Sequence, residues 1–142
     1  MAIQFEKIDH VGIVVPDLDA AVASYERLTG RAPGHRQAVE SDGIEAVMFE
    51  VGESRIELLG STRADSKIAN FLAKRGGGLH HVAYGVADVQ QSLDHFAALG
   101  LRLLDTCPRR GAGGRLVAFL HPSAAGGVLT ELCQPDPGPA NP

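Results

Sequence analysis

The stretch HVGIVVPDL at residues 10–18 returns 71 positions later as HVAYGVADV at residues 81–89. Both copies begin with a histidine and a valine, keep a valine at the sixth position and place an aspartate at the eighth. Apolar residues at helical spacing follow each copy: Val22, Tyr25 and Leu28 in the first, Leu93, Phe96 and Leu99 in the second. Such a repeat indicates two copies of one supersecondary unit, each of which must bury an apolar face.

Each copy is predicted to fold as a βαβββ unit. The β-branched run that ends at Pro16 predicts a strand, and Asp17 can cap the helix that follows. The first unit is predicted to have strands over 8–15, near 34–40, 44–51 and 54–60, and a helix over 18–30. The second is predicted to have strands over 79–86, near 101–105, 116–121 and 127–133, a helix over 89–100 and a Gly/Arg-rich loop over 108–115.

The two units are expected to form one structural domain. They occupy residues 1–62 and 79–134, and residues 63–78 supply a connecting helix that stops at three glycines. The tail over 135–142 is half proline and is expected to be disordered. The predicted fold class is therefore α+β, with two βαβββ modules that together enclose a cleft.

Composition limits the classes of function. Hydrophobic residues make up 44% and charged residues 21% of the 142 positions, a balance typical of globular proteins. No apolar run reaches about 18 residues, so no membrane span is expected, and residues 1–7 lack a signal-peptide pattern, which favours the cytoplasm. A formal net charge of −4 argues against general nucleic-acid binding. Cys107 and Cys133 form no C-x-x-C pair and are expected to be buried or half-buried structural thiols.

The repeat also includes a pair of residues that can bind a metal ion. His10 opens the first strand of one module and Glu57 lies in its last strand, while His81 and Glu131 hold the corresponding positions in the other. Two such pairs related by a pseudo-twofold axis would converge into one site of two nitrogen and two oxygen ligands. Mixed imidazole and carboxylate ligation suits Co, Mn, Ni, Fe or Zn better than Ca or Mg.

The other histidines are weaker candidates. Strand alternation is expected to point His80 to the face opposite His81, which favours a structural role. His35 and His95 are expected on a loop and on a helix surface. His121 ends a predicted strand before Pro122 and is a candidate to face the cleft.

The sequence resembles the vicinal oxygen chelate superfamily, which includes glyoxalases, bleomycin resistance proteins and dioxygenases, and within it the family of methylmalonyl-CoA epimerases. The resemblance covers essentially residues 7–134. It rests on IDHVGI at 8–13, IELL at 56–59, DSKIA at 65–69, GLHHVA at 78–83, RRGAGG at 109–114, FLHP at 119–122 and GGVLTEL at 126–132. The Gly/Arg loop and the FLHP strand end separate the epimerases from the rest of the superfamily.

The resemblance implies a fold, a cofactor and a reaction. The fold is a U-shaped, mostly antiparallel sheet around a divalent metal, with cobalt the expected ion and manganese, nickel, iron or zinc as alternatives. His10, Glu57, His81 and Glu131 are its implied ligands. The implied reaction interconverts the 2R and 2S forms of methylmalonyl-CoA by removing the proton at C2, and a metal ion would stabilise the resulting enolate as a Lewis acid.

Epimerisation requires acid and base groups on opposite faces of the planar enolate. The resemblance offers Glu131 as one of them. Some family members carry the second as a glutamate three residues beyond the glycine that opens the hairpin strand, but that position here is Ala46, and Glu45 comes one residue earlier. Glu45 is a catalytic candidate only if a β-bulge corrects the one-residue offset.

The expected partner is a small acyl-CoA substrate, bound by a homodimer as in other small members of the superfamily. Arg109, Arg110 and Arg115 are candidates to meet the phosphates of coenzyme A, with Lys74 and Arg75 behind them. Arg109, Arg110 and His121 are therefore the predicted substrate-binding residues.

Three other functions remain open at this stage. A glyoxalase I-like lyase acting on a glutathione hemithioacetal would use the same ligand set. A dioxygenase would be expected to use two histidines and one carboxylate on iron. A non-catalytic resistance protein of this fold would be expected to lack the metal ligands.

Overall fold

The computed structural model describes residues 3–135. The first module contains β1 (Lys7–Val14), α1 (Leu18–Thr29), β2 (Arg36–Val39), β3 (Ile44–Val51) and β4 (Ser54–Ser61), and α2 (Lys67–Arg75) follows it. The second module contains β5 (Gly78–Gly85), α3 (Val89–Ala98), β6 (Arg109–Arg110), β7 (Leu116–Leu120) and β8 (Thr130–Gln134), with short 3-10 helices at Ala112–Gly114 and Pro122–Ala125. Most of the predicted tail lies outside the described residues.

The eight strands form one sheet in the order β2-β3-β4-β1-β5-β8-β7-β6. Each module contributes four consecutive strands, and the antiparallel pairing of β1 with β5 joins the modules at the middle. The pairs β1–β4 and β5–β8 are parallel and the remaining pairs are antiparallel. The predicted α+β architecture of two βαβββ modules is confirmed.

Both faces of the sheet are covered in the first module. Val47 and Phe49 of β3 point to the face on which α1 packs, together with Leu18. Their neighbour Ala46 points the other way, into a cluster with Ile68 of α2. In the second module α3 packs on the same face as α1, over a core that includes Leu93, Ala118 and Leu132. We call the face covered by α1 and α3 the helix face and the opposite one the site face.

The second module departs from the predicted strands at two points. The strand expected near 101–105 is reduced to a single bridge between Leu103 and Leu120. Asp105 ends the pairing because its carboxylate accepts the Phe119 N–H at 2.8 Å, where a strand would offer a backbone carbonyl. The edge strand is instead β6, inside the segment predicted as a loop. The last strand begins at Thr130 rather than at residue 127, after Gly126 and Gly127 with φ of 65° and 97°.

Two further expectations can be compared with the structure. Cys133 is buried, as predicted, but Cys107 is exposed, because it lies in the irregular segment between the Leu103 bridge and β6. Among residues 3–135 no helix has the length and apolar character needed to cross a bilayer.

Candidate metal centre

Two β-bulges shape the centre of the sheet, where β1 meets β5. The pairing register shifts once between Ile8 and His10, so that Asp9 is an extra residue on β1. It shifts again where Gly12 pairs with His81 and Ile13 pairs with Leu79, so that His80 is an extra residue on β5. Asp9 and His80 are 71 residues apart, the period of the repeat. The bulge is therefore duplicated together with the histidine that follows it.

The four predicted ligands converge next to these bulges, and all of them are buried. Nε2 of His10 lies 3.3 Å from Nε2 of His81. The Oε2 atom of Glu131 lies 3.1 Å from the first of these nitrogens and 2.9 Å from the second. The Oε1 atom of Glu57 lies 3.7 Å and 3.5 Å from the same two atoms. The structure thus brings together all four residues that the repeat singled out.

The donor set fits a divalent ion. Atoms held about 2.0–2.2 Å from one ion lie about 3–4 Å from one another, which matches the distances between the imidazole and carboxylate atoms. His10, His81 and Glu131 each offer a ligand atom within 4.8 Å of the other two, and Glu57 adds a carboxylate from the first module. Three of these residues therefore form a compact group that could hold a metal ion, and the fourth is adjacent to it.

Gly12 makes room for this arrangement. It pairs with His81 on one side and with Glu57 on the other. A Cβ atom at residue 12 would lie 2.1 Å from Cε1 of the His81 ring, far inside van der Waals contact. The equivalent position in the second module is Ala83, which pairs with His10 and is fully buried. The space beside His81 therefore requires glycine, whereas the space beside His10 accepts a methyl group.

Asp9 holds the far side of the His10 ring. Because of the bulge, its carboxylate lies 2.7 Å from Nδ1 of His10, which donates to it. The same carboxylate accepts hydrogen bonds from Arg55 of β4 at 2.5 Å and from Arg115 at 3.0 Å and 3.2 Å. Burial disfavours its charge, but these bonds and the two guanidinium charges lower the pKa of Asp9 well below its ordinary value. Asp9 is thus an ionised partner that directs Nε2 of His10 toward the site.

His80 plays the corresponding part for His81 with different chemistry. The Nδ1 atoms of the two rings lie 2.9 Å apart. Burial and the neighbouring His81 lower the pKa of His80 to about 4, so His80 is neutral at pH 7 and can accept a hydrogen bond from Nδ1–H of His81. The expectation that His80 points to the opposite face was wrong, since the bulge interrupts the alternation on which it rested.

The buried groups also shift one another's pKa values. Burial opposes a charge on His10, but hydrogen bonds to Asp9 and Glu131 and the charge of Glu57 raise its pKa to about 9. Burial opposes ionisation of Glu131, yet its hydrogen bonds with both imidazoles lower its pKa to about 2. The pKa of Glu57 is raised, chiefly by burial. The two carboxylates therefore favour positive charge between the four side chains.

Glu45 does not reach this site. Met48 of β3 pairs with Glu57 and so shares its face, which places Glu45 on the opposite, helix face. The register of β3 against β4 is continuous, so no bulge corrects the offset. The carboxylate of Glu45 instead lies 3.6 Å from the guanidinium of Arg36. The bulge on which the predicted catalytic role of Glu45 depended is therefore absent from the pairing of β3 with β4.

The predicted substrate-binding residues lie in the second module, and none of them is hydrogen-bonded to the four converging side chains in the described residues. Arg109 projects from the site face over the ring of Phe119, which contacts His81, and forms an ion pair with Asp42 at 3.3 Å. Arg110 donates to the backbone oxygen of Gly114 at 2.6 Å. Nδ1 of His121 accepts the N–H of Ser123 at 3.0 Å and caps the short helix after β7. Each of these side chains is therefore already engaged within the protein.

Sequence reasoning missed Asp9 and Gly12 as parts of the site. Asp9 had a visible signal, an acidic residue immediately before a candidate ligand, but alternation would have pointed it to the helix face. Gly12 had a weaker signal, since the repeat replaces it by alanine at residue 83. Of the remaining histidines, His35 is exposed and His95 lies on α3 with its ring against Phe96.

Known proteins are similar to this chain in sequence and in fold. The family model of the glyoxalase/bleomycin resistance protein/dioxygenase superfamily matches residues 9–119. The ethylmalonyl-CoA/methylmalonyl-CoA epimerase of Cereibacter sphaeroides is 38% identical over 130 residues, which cover 90% of this chain and 97% of that protein. The chain belongs to this superfamily and, within it, to the methylmalonyl-CoA epimerase family, as the sequence resemblance implied.

Solved structures agree with this assignment. A Streptomyces coelicolor methylmalonyl-CoA epimerase in complex with 2-nitronate-propionyl-CoA is 38% identical, with a TM-score of 0.89 over 98% of this chain and 100% of that one. A methylmalonyl-CoA epimerase in complex with methylmalonyl-CoA and NH4+ gives the same TM-score, identity and coverage.

Proposed function

We propose that this chain interconverts the 2R and 2S forms of methylmalonyl-CoA. The observation that carries the proposal is the convergence of His10, Glu57, His81 and Glu131 on one buried point, in a chain of the methylmalonyl-CoA epimerase family. Related proteins in solved structures hold methylmalonyl-CoA or a propionyl-CoA nitronate. The substrate class of this chain is therefore an acyl-CoA with a carboxylate at C2.

The four converging residues are the proposed metal ligands. Both imidazoles present Nε2 to the site while their Nδ1 atoms bond to Asp9 and His80, an orientation that leaves Nε2 available to a metal ion. When bound, a divalent ion supplies positive charge for the enolate that forms as C2 loses its proton. Cobalt is the proposed ion, and manganese, nickel, iron and zinc are the alternatives that this donor set also suits.

The protein's own groups must move the proton at C2. Glu131 is the proposed acid–base residue on one face of the enolate, because its carboxylate lies at the centre of the site. On β3, the position that some relatives use for a second glutamate is Ala46, and Glu45 lies on the helix face. The face of Glu45 supports the proposal that another group handles the proton on the other face of C2.

Deuterium exchange at C2 of methylmalonyl-CoA tests the proposal. With wild-type protein reconstituted with cobalt, methylmalonyl-CoA is expected to take up deuterium from D2O at C2. Mass spectrometry of the substrate measures this uptake. Glu131→Gln is expected to lose the exchange by a factor of about 100 or more, since it removes a positioned acid–base group. Glu45→Gln is the matched control and is expected to keep wild-type exchange, because the Glu45 carboxylate faces away from the site.

Two further arms separate the competing functions. Turnover of the methylglyoxal–glutathione hemithioacetal without exchange of methylmalonyl-CoA would contradict the proposal and indicate a glyoxalase I-like lyase. Protein that holds no metal when purified without chelators and that shows no exchange would indicate a non-catalytic resistance protein that binds small molecules. Metal analysis of protein purified without chelators, and reconstitution with Co, Mn, Ni, Fe or Zn, identifies the ion that supports exchange.

The proposal includes a homodimer in the cytoplasm. The resemblance to small members of the superfamily supports the dimer, and light scattering of the purified protein measures it. Fractionation of the source cells measures the location.

A further inference from the structure

Two rows of residues cross the central strands on the site face, and within each row every residue is paired directly with the next one. The first row, across β3, β4, β1 and β5, is Met48, Glu57, Gly12 and His81. The second row, across β7, β8, β5 and β1, is Phe119, Glu131, Ala83 and His10. Each row therefore contains, in the same order, an apolar side chain, a carboxylate, a small residue and a histidine.

Met48 and Phe119 hold equivalent positions in the internal repeat, because they lie 71 residues apart. Directly paired residues point to the same face of a sheet, so each of the two side chains lies beside the glutamate of its own module. The strands that carry them, β3 and β7, lie on either side of the four strands that carry the converging side chains. Met48 and Phe119 therefore flank the candidate metal centre from opposite sides.

Both side chains are large and apolar, yet both are only half-buried. The ring of Phe119 stands edge to face against the His81 ring, with 5.6 Å between the centroids, and Arg109 lies over it at 5.6 Å. Met48 has an unbranched thioether side chain that can adapt its shape to a neighbour. Apolar surface left open beside charged side chains is available to an apolar group of a bound ligand.

The substrate class proposed above carries such an apolar group at the reacting carbon. C2 of methylmalonyl-CoA is bonded to the thioester carbonyl, the carboxylate, one proton and one methyl group. When the carbonyl and the carboxylate keep their positions while C2 inverts, the proton and the methyl group exchange sides of the plane through these three carbon atoms. A site that turns over both epimers must therefore receive the methyl group on either side of that plane.

We propose that Met48 and Phe119 are specificity-determining residues for the C2 substituent, and that each contacts the methyl group of one epimer. This inference rests on the proposed function and assigns two residues to the recognition of the acyl group. The duplication of the module gives the site one apolar wall on each side, Met48 on the first module and Phe119 on the second. Two walls match the two positions that the methyl group takes as C2 inverts.

A ligand with a methyl group on both sides provides the sharpest test. 2,2-Dimethylmalonyl-CoA has no proton at C2, so its Kd measures binding without epimerisation. With wild-type protein reconstituted with cobalt, each methyl group is expected to lower the Kd by about fourfold, since it is buried against an apolar side chain. Calorimetry is therefore expected to give a Kd for dimethylmalonyl-CoA that is about 10- to 20-fold below that of malonyl-CoA.

Shortening either wall should remove one of these two gains. In Met48→Ala and in Phe119→Ala, the Kd of dimethylmalonyl-CoA is expected to be only about fourfold below that of malonyl-CoA. Phe119→Leu keeps an apolar side chain and is expected to stay closer to the wild-type ratio. The matched control is Val51→Ala, at an exposed position of β3 on the helix face, which is expected to keep the wild-type ratio.

The same variants should accept a larger substituent at C2. Wild-type protein is expected to exchange the C2 proton of propylmalonyl-CoA at least about tenfold more slowly than that of methylmalonyl-CoA, and Phe119→Ala is expected to reduce this difference about tenfold. Met48→Ala is expected to act in the same direction, and Val51→Ala is expected to leave the difference unchanged. Cobalt titration and thermal denaturation of each variant check that the metal centre and the fold are retained.

The outcomes separate this inference from the proposed function. If dimethylmalonyl-CoA binds no more tightly than malonyl-CoA, or if neither wall variant changes the ratio of their Kd values, the assignment is overturned, while deuterium exchange by the wild type leaves the epimerase proposal intact. If wild-type protein shows no exchange but its Kd values depend on both walls as expected, the proposed reaction fails and the assignment stands. If wild-type protein binds neither ligand, the assignment is wrong.

Discussion

In each module a β-bulge precedes the equivalent histidine, but the residue in the bulge that bonds to its ring is a carboxylate in one module and an imidazole in the other. In the first, the bulged residue before the ligand is Asp9, a buried carboxylate fixed by Arg55 and Arg115. In the second it is His80, a neutral imidazole that also lines a cavity beside α2. The duplicated fold thus preserves the direction of each ligand while the charge behind it differs.

This difference separates a fixed side of the site from an open one. Arg55 belongs to the first module and Arg115 to the second, so the charges around Asp9 also link the two modules. Within residues 3–135, His80 forms no ion pair with the first module, and its ring lies between His81 and the Phe71 ring of α2. The first module is therefore expected to supply rigidity, and the second to supply access for the substrate.

Exchanging the residues beside the two histidines should break the comparison most strongly. Gly12→Ala would place a Cβ 2.1 Å from the His81 ring and displace it. The affinity for cobalt is expected to fall about 100-fold or more, beyond the usual effect of an indirect partner. The reciprocal change, Ala83→Gly, is expected to keep metal binding and to cost about 1 kcal/mol of stability. Calorimetric titration with cobalt and urea denaturation measure these two effects, and strong metal binding by Gly12→Ala would show that the space beside His81 is not limiting.

Removing the charge behind His10 should have the next largest effect. Asp9→Asn leaves two guanidinium groups around a neutral buried amide, so the free energy of unfolding is expected to fall by about 3–5 kcal/mol. Cobalt affinity is expected to fall about 10- to 100-fold, because His10 loses the partner that orients it. Asp19→Asn, which removes a surface ion pair with Arg36, is expected to cost less than about 1 kcal/mol. Equal losses in the two variants would contradict the structural role of Asp9.

Removing the partner of His81 should have a smaller effect. His80→Ala deletes a neutral acceptor, so cobalt affinity is expected to fall about tenfold, the lower end of the range for indirect partners. His80→Gln offers an amide oxygen in its place and is expected to recover part of this loss. His95→Ala on α3 serves as the control. A loss as large as that of Asp9→Asn would remove the proposed difference between the two modules.

The link between modules should be the weakest of the four. Arg115→Gln removes one of two guanidinium partners of Asp9 while Arg55 stays in place. The free energy of unfolding is therefore expected to fall by about 1–2 kcal/mol. Cobalt affinity is expected to change by no more than about threefold, well below the range for a direct loss of the ligand's partner. Urea denaturation of Arg115→Gln beside Asp9→Asn checks the order, and an equal loss in both would show that Arg115 alone holds the carboxylate.

Much of the fold and of the site could be predicted because the chain repeats itself. The period of 71 residues aligned His10 with His81 and showed that each module ends in a strand with one glutamate. A buried carboxylate is costly without a partner, so a duplicated pair had few explanations besides a common site. Glu45 was misjudged for the complementary reason. Its predicted catalytic role required a β-bulge in β3. Whether a bulge forms depends on how two strands pair, which the sequence of one strand does not reveal.

The sequence by itself determined the two modules, their central strands and the four side chains that converge, since all of these follow from periodicity and repetition along one chain. Only the tertiary structure decided the positions of Asp9, Gly12 and His80. The pairing of β1 with β5 creates the bulges that turn Asp9 and His80 to the site face, and it brings the His81 ring so close to residue 12 that only glycine fits there. It also decided that the cations of the Gly/Arg loop are engaged and those of α2 lie beside a cavity. Partners distant in sequence set the direction and the charge of a side chain, and no local pattern records them.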